Sequence, residues 1–299
     1  MEITSGAALL ALCEQQSLPI SALARRIEAE NEGVSEADVS ARMRQSMDVM
    51  RQSYTEPMDH PRRLIGGMIG GEGGLLRAHF LQGKSILGEC FSKIVSRSMA
   101  VLEQNASMGL IVAAPTAGSA GVLPGTIFAL QEEFDLSDEA VENALLCAGA
   151  IGCIFMRNGS VSGAEAGCQA EVGAASAMTA AAVVELFGGT PKQSLDAAAV
   201  AMTNLLGLVC DPVAGLVQCP CQTRNALGAA NAVICAEMAL SGMASFIPFD
   251  EMVAALYSVG RKLPPELRET ALGGCAATPT GERWRQKIFG SEPEGTYNV

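Results

Sequence analysis

Histidine is nearly missing: His60 and His79 are the only two among 299 residues. A zinc site built on histidine is thereby close to excluded, although ligation by cysteine alone is not. Lysine is almost as scarce, with Lys84, Lys93, Lys192, Lys262 and Lys287. None has a glycine-rich phosphate loop beside it, so no Schiff-base lysine for pyridoxal phosphate is expected. Gly83-Lys84-Ser85 looks like the end of a P-loop, but the position that needs the first glycine is Ala78. No Gly-x-Ser-x-Gly elbow precedes an acid and a histidine in hydrolase order. Aromatics are only 4%, and 20 basic residues face 32 acidic ones for a net charge of −12. Such a surface repels phosphate backbones and offers little for stacking on bases, so nucleic acid is not an expected partner. The start of the chain has no basic segment before an apolar run, and Glu2 and Glu14 interrupt it, which argues against a secretory signal. The long uncharged stretch from Gln104 to Gln131 is broken by Pro115, Gly118, Gly121, Pro124 and Gly125. It reads as helix, loop and helix rather than a membrane span.

What is plentiful is small and apolar. Hydrophobic residues make up 49% of the chain and glycine contributes 32 positions. Few aromatic side chains and many small ones favour close-packed helices over a β-sandwich. The expected fold is all-α: a single helical catalytic domain with glycine-rich loops around a buried site. Residues 1–60 are expected to form an N-terminal helical lobe, 61–285 the catalytic domain and 286–299 a polar tail. Ser35 to Asp38 reads as a capping box opening a helix over Glu36–Arg51. Helices are expected at Leu75–Leu81, Leu87–Leu102, 122–134, 138–156 and without interruption over Ala164–Phe187. Pro191 should open another that runs to about Val209, followed by Gln222–Ser241 and Phe249–Arg261. Four loops rich in glycine and hydroxyl residues separate these helices, at 66–74, 113–121, 157–163 and 210–215. Their backbone N–H groups can approach a small anion closely.

Ten cysteines in a chain without secretory features do not suggest a disulfide framework. Free cysteine often serves as a small buried hydrophobe, which is the expectation for Cys13, Cys90, Cys147, Cys153 and Cys235. Cys168, Cys210, Cys219, Cys221 and Cys275 lie among glycines, prolines and polar residues. The pairs of Cys-x-x-Cys that a zinc ribbon needs are absent, as is the tighter ferredoxin pattern. Three separated thiolates on loops or helix ends would suit a cluster with one iron left open to act as a Lewis acid.

Several segments resemble the iron–sulfur L-serine dehydratases, specifically the separate alpha chain of the two-chain type. They are Ala114-Pro-Thr-Ala-Gly-Ser-Ala-Gly-Val-Leu-Pro-Gly125, Asn158-Gly-Ser-Val-Ser-Gly-Ala-Glu-Ala-Gly-Cys-Gln-Ala-Glu-Val-Gly173 and Gly207-Leu-Val-Cys-Asp-Pro-Val-Ala-Gly-Leu-Val217. Arg224-Asn225 and Leu267-Arg-Glu-Thr-Ala-Leu-Gly-Gly-Cys-Ala-Ala-Thr-Pro-Thr-Gly281 extend the likeness over nearly the whole chain. The resemblance implies a 4Fe-4S cluster on Cys168, Cys210 and Cys221, with Cys219 a neighbouring free thiol. It implies dehydration of L-serine to aminoacrylate and on to pyruvate and ammonia, in a cytoplasmic, oligomeric enzyme completed by a separate beta chain.

Within that frame, Thr116, Ser119, Asn158, Ser160 and Ser162 are the candidates to hold the substrate carboxylate. Arg224 either adds positive charge there or pairs with a nearby acid. Glu165 and Glu171 are the candidate bases for the α-proton, each equally readable as a cap or packing residue, and His60 and His79 are no better supported. Three features depart from the family pattern. Ile69 stands where many members place a threonine before two glycines. No cysteine closes the chain, which leaves Cys275 as a substitute cap. The Ser-Ser-His-Thr stretch of the family's beta half is not found. A related L-cysteine desulfidase-type lyase and a non-catalytic iron–sulfur sensor are the competing expectations.

Overall fold

Ser35 accepts a hydrogen bond from the Asp38 backbone N–H while Asp38 accepts from that of Ser35, the reciprocal cap that the sequence suggested. It opens one of thirteen α-helices in the computed structural model, which describes residues 3–62 and 64–290. In chain order they are α1 Gly6–Gln16, α2 Ile20–Glu32, α3 Glu36–Asp59, α4 Glu72–Leu81, α5 Gly88–Ala106, α6 Val122–Phe134 and α7 Asp138–Asn158. They continue with α8 Gly163–Ala166, α9 Ala174–Leu186, α10 Pro191–Leu205, α11 Cys221–Leu240, α12 Phe249–Gly260 and α13 Pro279–Phe289. No strand occurs among the described residues, and a lone bridge joins Cys210 to Arg268. The fold is all-α, as expected.

The alanine-rich α9 is the axis. Every residue from Ala174 to Val184 is buried, because α7, α10 and α11 pack around it. A helix that is apolar around its whole circumference belongs inside a core, and alanine lets its neighbours approach closely. The first helices join the same core. Leu9, Cys13, Ile20, Leu23, Ile27 and Met47 belong to one continuous cluster with Ile127, Phe128, Ile151 and Phe155. Burying each of the larger side chains contributes about 1.5–3 kcal/mol. The helix α7 is long and apolar enough to cross a membrane, but its most apolar stretch is 67% buried within the fold, as befits a core helix.

Several local expectations need correction. The helix α3 runs past Arg51 to Asp59, because Tyr54, Pro57 and Met58 are buried and packing outweighs the proline near its end. The helix α4 starts at Glu72 and so takes in part of the supposed glycine loop. The stretch from Ala164 to Phe187 is not one helix: Gly167, at φ 76°, ends α8, and one π-helical turn over Gln169–Gly173 precedes α9. A Cβ at Gly167 would lie 2.6 Å from the Leu263 side chain and 2.9 Å from the Leu208 carbonyl. Residues 286–289 of the expected tail belong to α13, opened by Thr278, whose hydroxyl accepts from the Gly281 N–H. Residues 291–299 of the supposed tail lie outside the described residues. Cys153 is exposed and Cys90 half-buried, whereas Cys13, Cys147 and Cys235 are buried as expected.

One buried contact makes a stability prediction. No side chain caps α2 locally, yet the Ser21 N–H at its start donates to both oxygens of Glu185 on α9, at 3.1 and 3.3 Å. Burial holds the Glu185 carboxyl above its usual range, and the bonds from Ser21 only partly offset this. The folded state therefore binds the proton more tightly than the unfolded one, so this group's contribution is complete at acid pH and is lost as pH rises through the elevated value. Glu185→Gln keeps an acceptor for Ser21 and removes the titration. Its stability relative to the parent should rise steadily with pH above the ordinary carboxylate range, as measured by urea unfolding from pH 4 to pH 8.

Candidate metal and substrate site

Three of the ten thiols are buried together at the ends of helices. Cys168 sits between Gly167 and the π-helical turn, Cys210 on the segment after α10, and Cys221 at the first position of α11. They are 3%, 4% and 9% exposed. Each has its own backbone support. The Gln169 N–H donates to the Leu208 carbonyl at 2.9 Å, and the Gln169 side chain bonds Gly207 N–H at 2.7 Å and the Leu256 carbonyl at 2.8 Å. That fixes the turn carrying Cys168 against the segment leading to Cys210. Cys210 is held in turn by residues 267–269: its N–H donates to the Leu267 carbonyl at 2.9 Å, and its carbonyl accepts from the Glu269 N–H at 2.7 Å. Asn225, one turn into α11, donates to the Cys221 carbonyl at 2.9 Å and to the Gly118 carbonyl at 2.8 Å, and accepts from the Gly121 N–H at 2.9 Å.

The three thiols share one electrostatic neighbourhood. Burial, then the Glu171 carboxylate, push Cys168 up to about 12, with Arg224 pulling the other way. Cys210 is pushed up by burial and by Glu171, and it feels both Cys168 and Cys221. Cys221 is raised by burial and next by Cys168. Without a cation these groups hold their protons, and a bound metal inverts that preference. Among the described residues no three His, Cys, Asp or Glu side chains are drawn up around a single ion. What the site offers is three soft sulfur donors on separate supports.

Glu171 stands among them. It lies on the π-helical turn, a geometry often met at functional sites. The Thr116 hydroxyl donates to its Oε1 at 2.8 Å, and the Cys210 thiol donates to its Oε2 at 3.7 Å. Burial raises its pKa, while the bonds from Thr116 and Cys210 oppose the shift. Gly163 is required here: an added Cβ would lie 2.5 Å from Glu171 Oε2 and 2.9 Å from Cys210 Sγ. Ser119, wholly buried, bonds Thr116 at 3.1 Å between hydroxyls. Thr116, Ser119, Glu171 and the cysteines are thus brought together.

Other candidates fall elsewhere. Glu165 is exposed on α8. The Asn158 amide, exposed at the end of α7, donates to the carbonyls of Thr4 and Ile154 at 2.8 and 3.1 Å. Ser160 accepts from the Ser162 N–H at 3.1 Å on the approach to α8. His60 and His79 are exposed, at the end of α3 and on α4. Arg224 pairs with buried Asp211 at 2.8 Å and donates to the Val209 carbonyl at 2.7 Å. Asp211 also accepts from the Cys275 N–H at 2.7 Å. Sequence reasoning missed Asp211 and Gln169 as supports, and no local signal marks either one. A cavity of about 360 Å³ between α2, α3 and α7, lined by Ile27, Val39, Met43 and Leu146, contains none of these residues.

A family profile described as serine dehydratase alpha chain matches residues 15–276. The chain is 46% identical over 282 residues to the probable L-serine dehydratase alpha chain of Bacillus subtilis, covering 94% of each. It is 41% identical over 281 residues to the L-serine dehydratase alpha chain of Peptoniphilus asaccharolyticus, covering 94% of this chain and 96% of that one. Against the L-serine dehydratase TdcG of Escherichia coli the identity is 37% over 286 residues, covering 91% of this chain but 61% of that longer protein.

Proposed function

This chain belongs to the serine dehydratase alpha-chain family, and from that premise we propose that it is a lyase converting L-serine to pyruvate and ammonia. We read it as working with a separate beta chain and a 4Fe-4S cluster held by Cys168, Cys210 and Cys221. The names of its relatives of equal length support a two-chain enzyme. The donor set fits the cluster. Thiolates are its usual ligands, three of them would hold it here, and at Gly163 there is no Cβ to crowd the Cys210 sulfur. When bound, the cluster would supply a Lewis-acidic iron that makes hydroxide a tolerable leaving group.

The chain's own side chains do the rest. The hydroxyls of Thr116 and Ser119 orient the substrate carboxylate. Glu171 is the carboxylate at hand to accept the α-proton. Its partner Thr116 holds one oxygen, and the other faces the sulfur side of the site. Arg224 balances Asp211 and brings positive charge beside Cys168. Loss of the α-proton and the β-hydroxyl gives water and aminoacrylate, which tautomerises and hydrolyses to pyruvate and ammonia. Residues 61–285 carry this chemistry and residues 1–60 buttress it. The reaction belongs to cytoplasmic amino-acid catabolism and supplies pyruvate for gluconeogenesis.

The observation that carries this reading is the meeting of Cys168, Cys210, Cys221 and Glu171, drawn from three separate stretches of backbone. The test is anaerobic co-expression with a serine dehydratase beta chain, iron analysis and product assays on three amino acids. Serine should give pyruvate, with weaker 2-oxobutyrate from threonine. Sulfide from cysteine as the main product would make the enzyme a desulfidase. A cluster that undergoes reversible reduction without any product would make the chain a sensor.

A further inference from the structure

The first turn of α11 holds two loops, not one. Asn225 reaches the loop before α6, as described above. Gln222, which directly follows Cys221, reaches the glycine-rich segment before α4. Its side-chain amide donates to Glu103 Oε1 at 3.0 Å, and the same oxygen accepts from the Gly73 N–H at 2.9 Å. Glu72, 3.3 Å from that amide, accepts from the Gly70 N–H at 2.6 Å. On the other side of Cys221, Gln218 accepts from the Met68 N–H at 3.1 Å and donates to the Ile65 carbonyl. Both Gln218 and Gln222 are buried, and the Gln222 N–H donates to the Gln218 carbonyl at 2.9 Å.

Among the described residues, no backbone–backbone hydrogen bond holds residues 65–70. Gly66, Gly67, Gly70 and Gly71 all have φ in the left-handed range, where the backbone is most free when nothing holds it. Ile65 is half exposed, and no side chain at Gly71 caps α4. Yet Glu103 is only 2% exposed. A carboxylate is rarely buried so fully without definite partners, and these partners all lie on the segment or beside Cys221. The segment also borders the site. An added Cβ at Gly66 would meet Leu216 at 2.7 Å, and the next residue, Val217, faces Gly118.

We propose that Glu103, Gln222 and Gln218 form a clasp that sets the glycine segment 65–73 against Cys221, making them positioning residues for the substrate. The proposal rests on the dehydratase reading for its substrate but not for its geometry. The clasp acts on binding more than on chemistry, because Glu171 and the three cysteines are supported independently of it.

Three variants test it: Glu103→Ala, Gln218→Ala and, as the conservative change, Glu103→Gln, whose Oε1 can still accept from both donors. In the full chain without iron, hydrogen exchange of amides 65–73 should quicken at least about tenfold in both alanine variants, with α7 and α9 unchanged. In the loaded complex with a beta chain, KM for L-serine should rise at least about fivefold while kcat stays within about twofold. Glu103→Gln should restore both values. Gln218→Ala leaves Glu103 with its donors, so it reports on the clasp even where Glu103→Ala fails to fold. Unchanged exchange over 65–73, or kcat and thermal stability falling together without a KM effect, would overturn the clasp. If the parent complex makes no pyruvate, the function reading fails, and the exchange result still decides the clasp.

Discussion

Serine in place of Cys168, Cys210 or Cys221, one at a time, leaves a helical chain that takes up no intact cluster. A serine hydroxyl is harder and far less acidic than a thiol, so it seldom substitutes as a ligand to iron–sulfur iron. On the proposed assignment of three donors, losing one leaves two. Iron content and visible absorbance after anaerobic reconstitution should fall at least about tenfold in each variant. Cys13→Ser and Cys147→Ser are the controls, since both thiols are buried far from the site, near Glu185. They should reconstitute like the parent. Full iron in all three single variants would remove the ligand assignment and the mechanism built on it.

Glu171→Gln is the second large effect. Glutamine keeps an acceptor for the Thr116 hydroxyl and a polar neighbour for the Cys210 sulfur, so the site should still load iron. It cannot accept a proton. The kcat for L-serine should fall about 10²–10⁴-fold, the usual worth of a positioned general base. Glu165→Gln, on the exposed face of α8, should stay within about twofold, as surface substitutions do. A Glu171→Gln enzyme with near-parental kcat and full iron would show that another group takes the proton.

Much of this architecture was legible in the sequence, for physical reasons. The Ser35–Asp38 cap and Pro191 at the start of α10 are local signals, and the helices follow them. The break between α8 and α9 was not legible. A run rich in alanine looks helical throughout, and the lack of room for a Cβ at Gly167 comes from Leu263 and Leu208, distant in sequence. The exposure of Cys153 depends on which face of α7 turns outward, and a run as apolar as α7 does not announce that. At the site, the types of residue stood out while their supports did not. Asp211, Gln169 and Glu103 bond to backbone N–H groups or to side chains many positions away. Asn158 shows the reverse: it sits in a conspicuous motif, but its amide is committed to Thr4 and Ile154.

The pairing of Cys210 with Leu267 and Glu269 bears on when the thiol site can exist at all. A chain leaving the ribosome has Cys168, Cys210 and Cys221 exposed well before residue 269 has been added. Until then Cys210 lacks both of its backbone partners. The backbone support of Cys210 is therefore completed only after residues 267–269 have been made, although all three cysteines are made earlier.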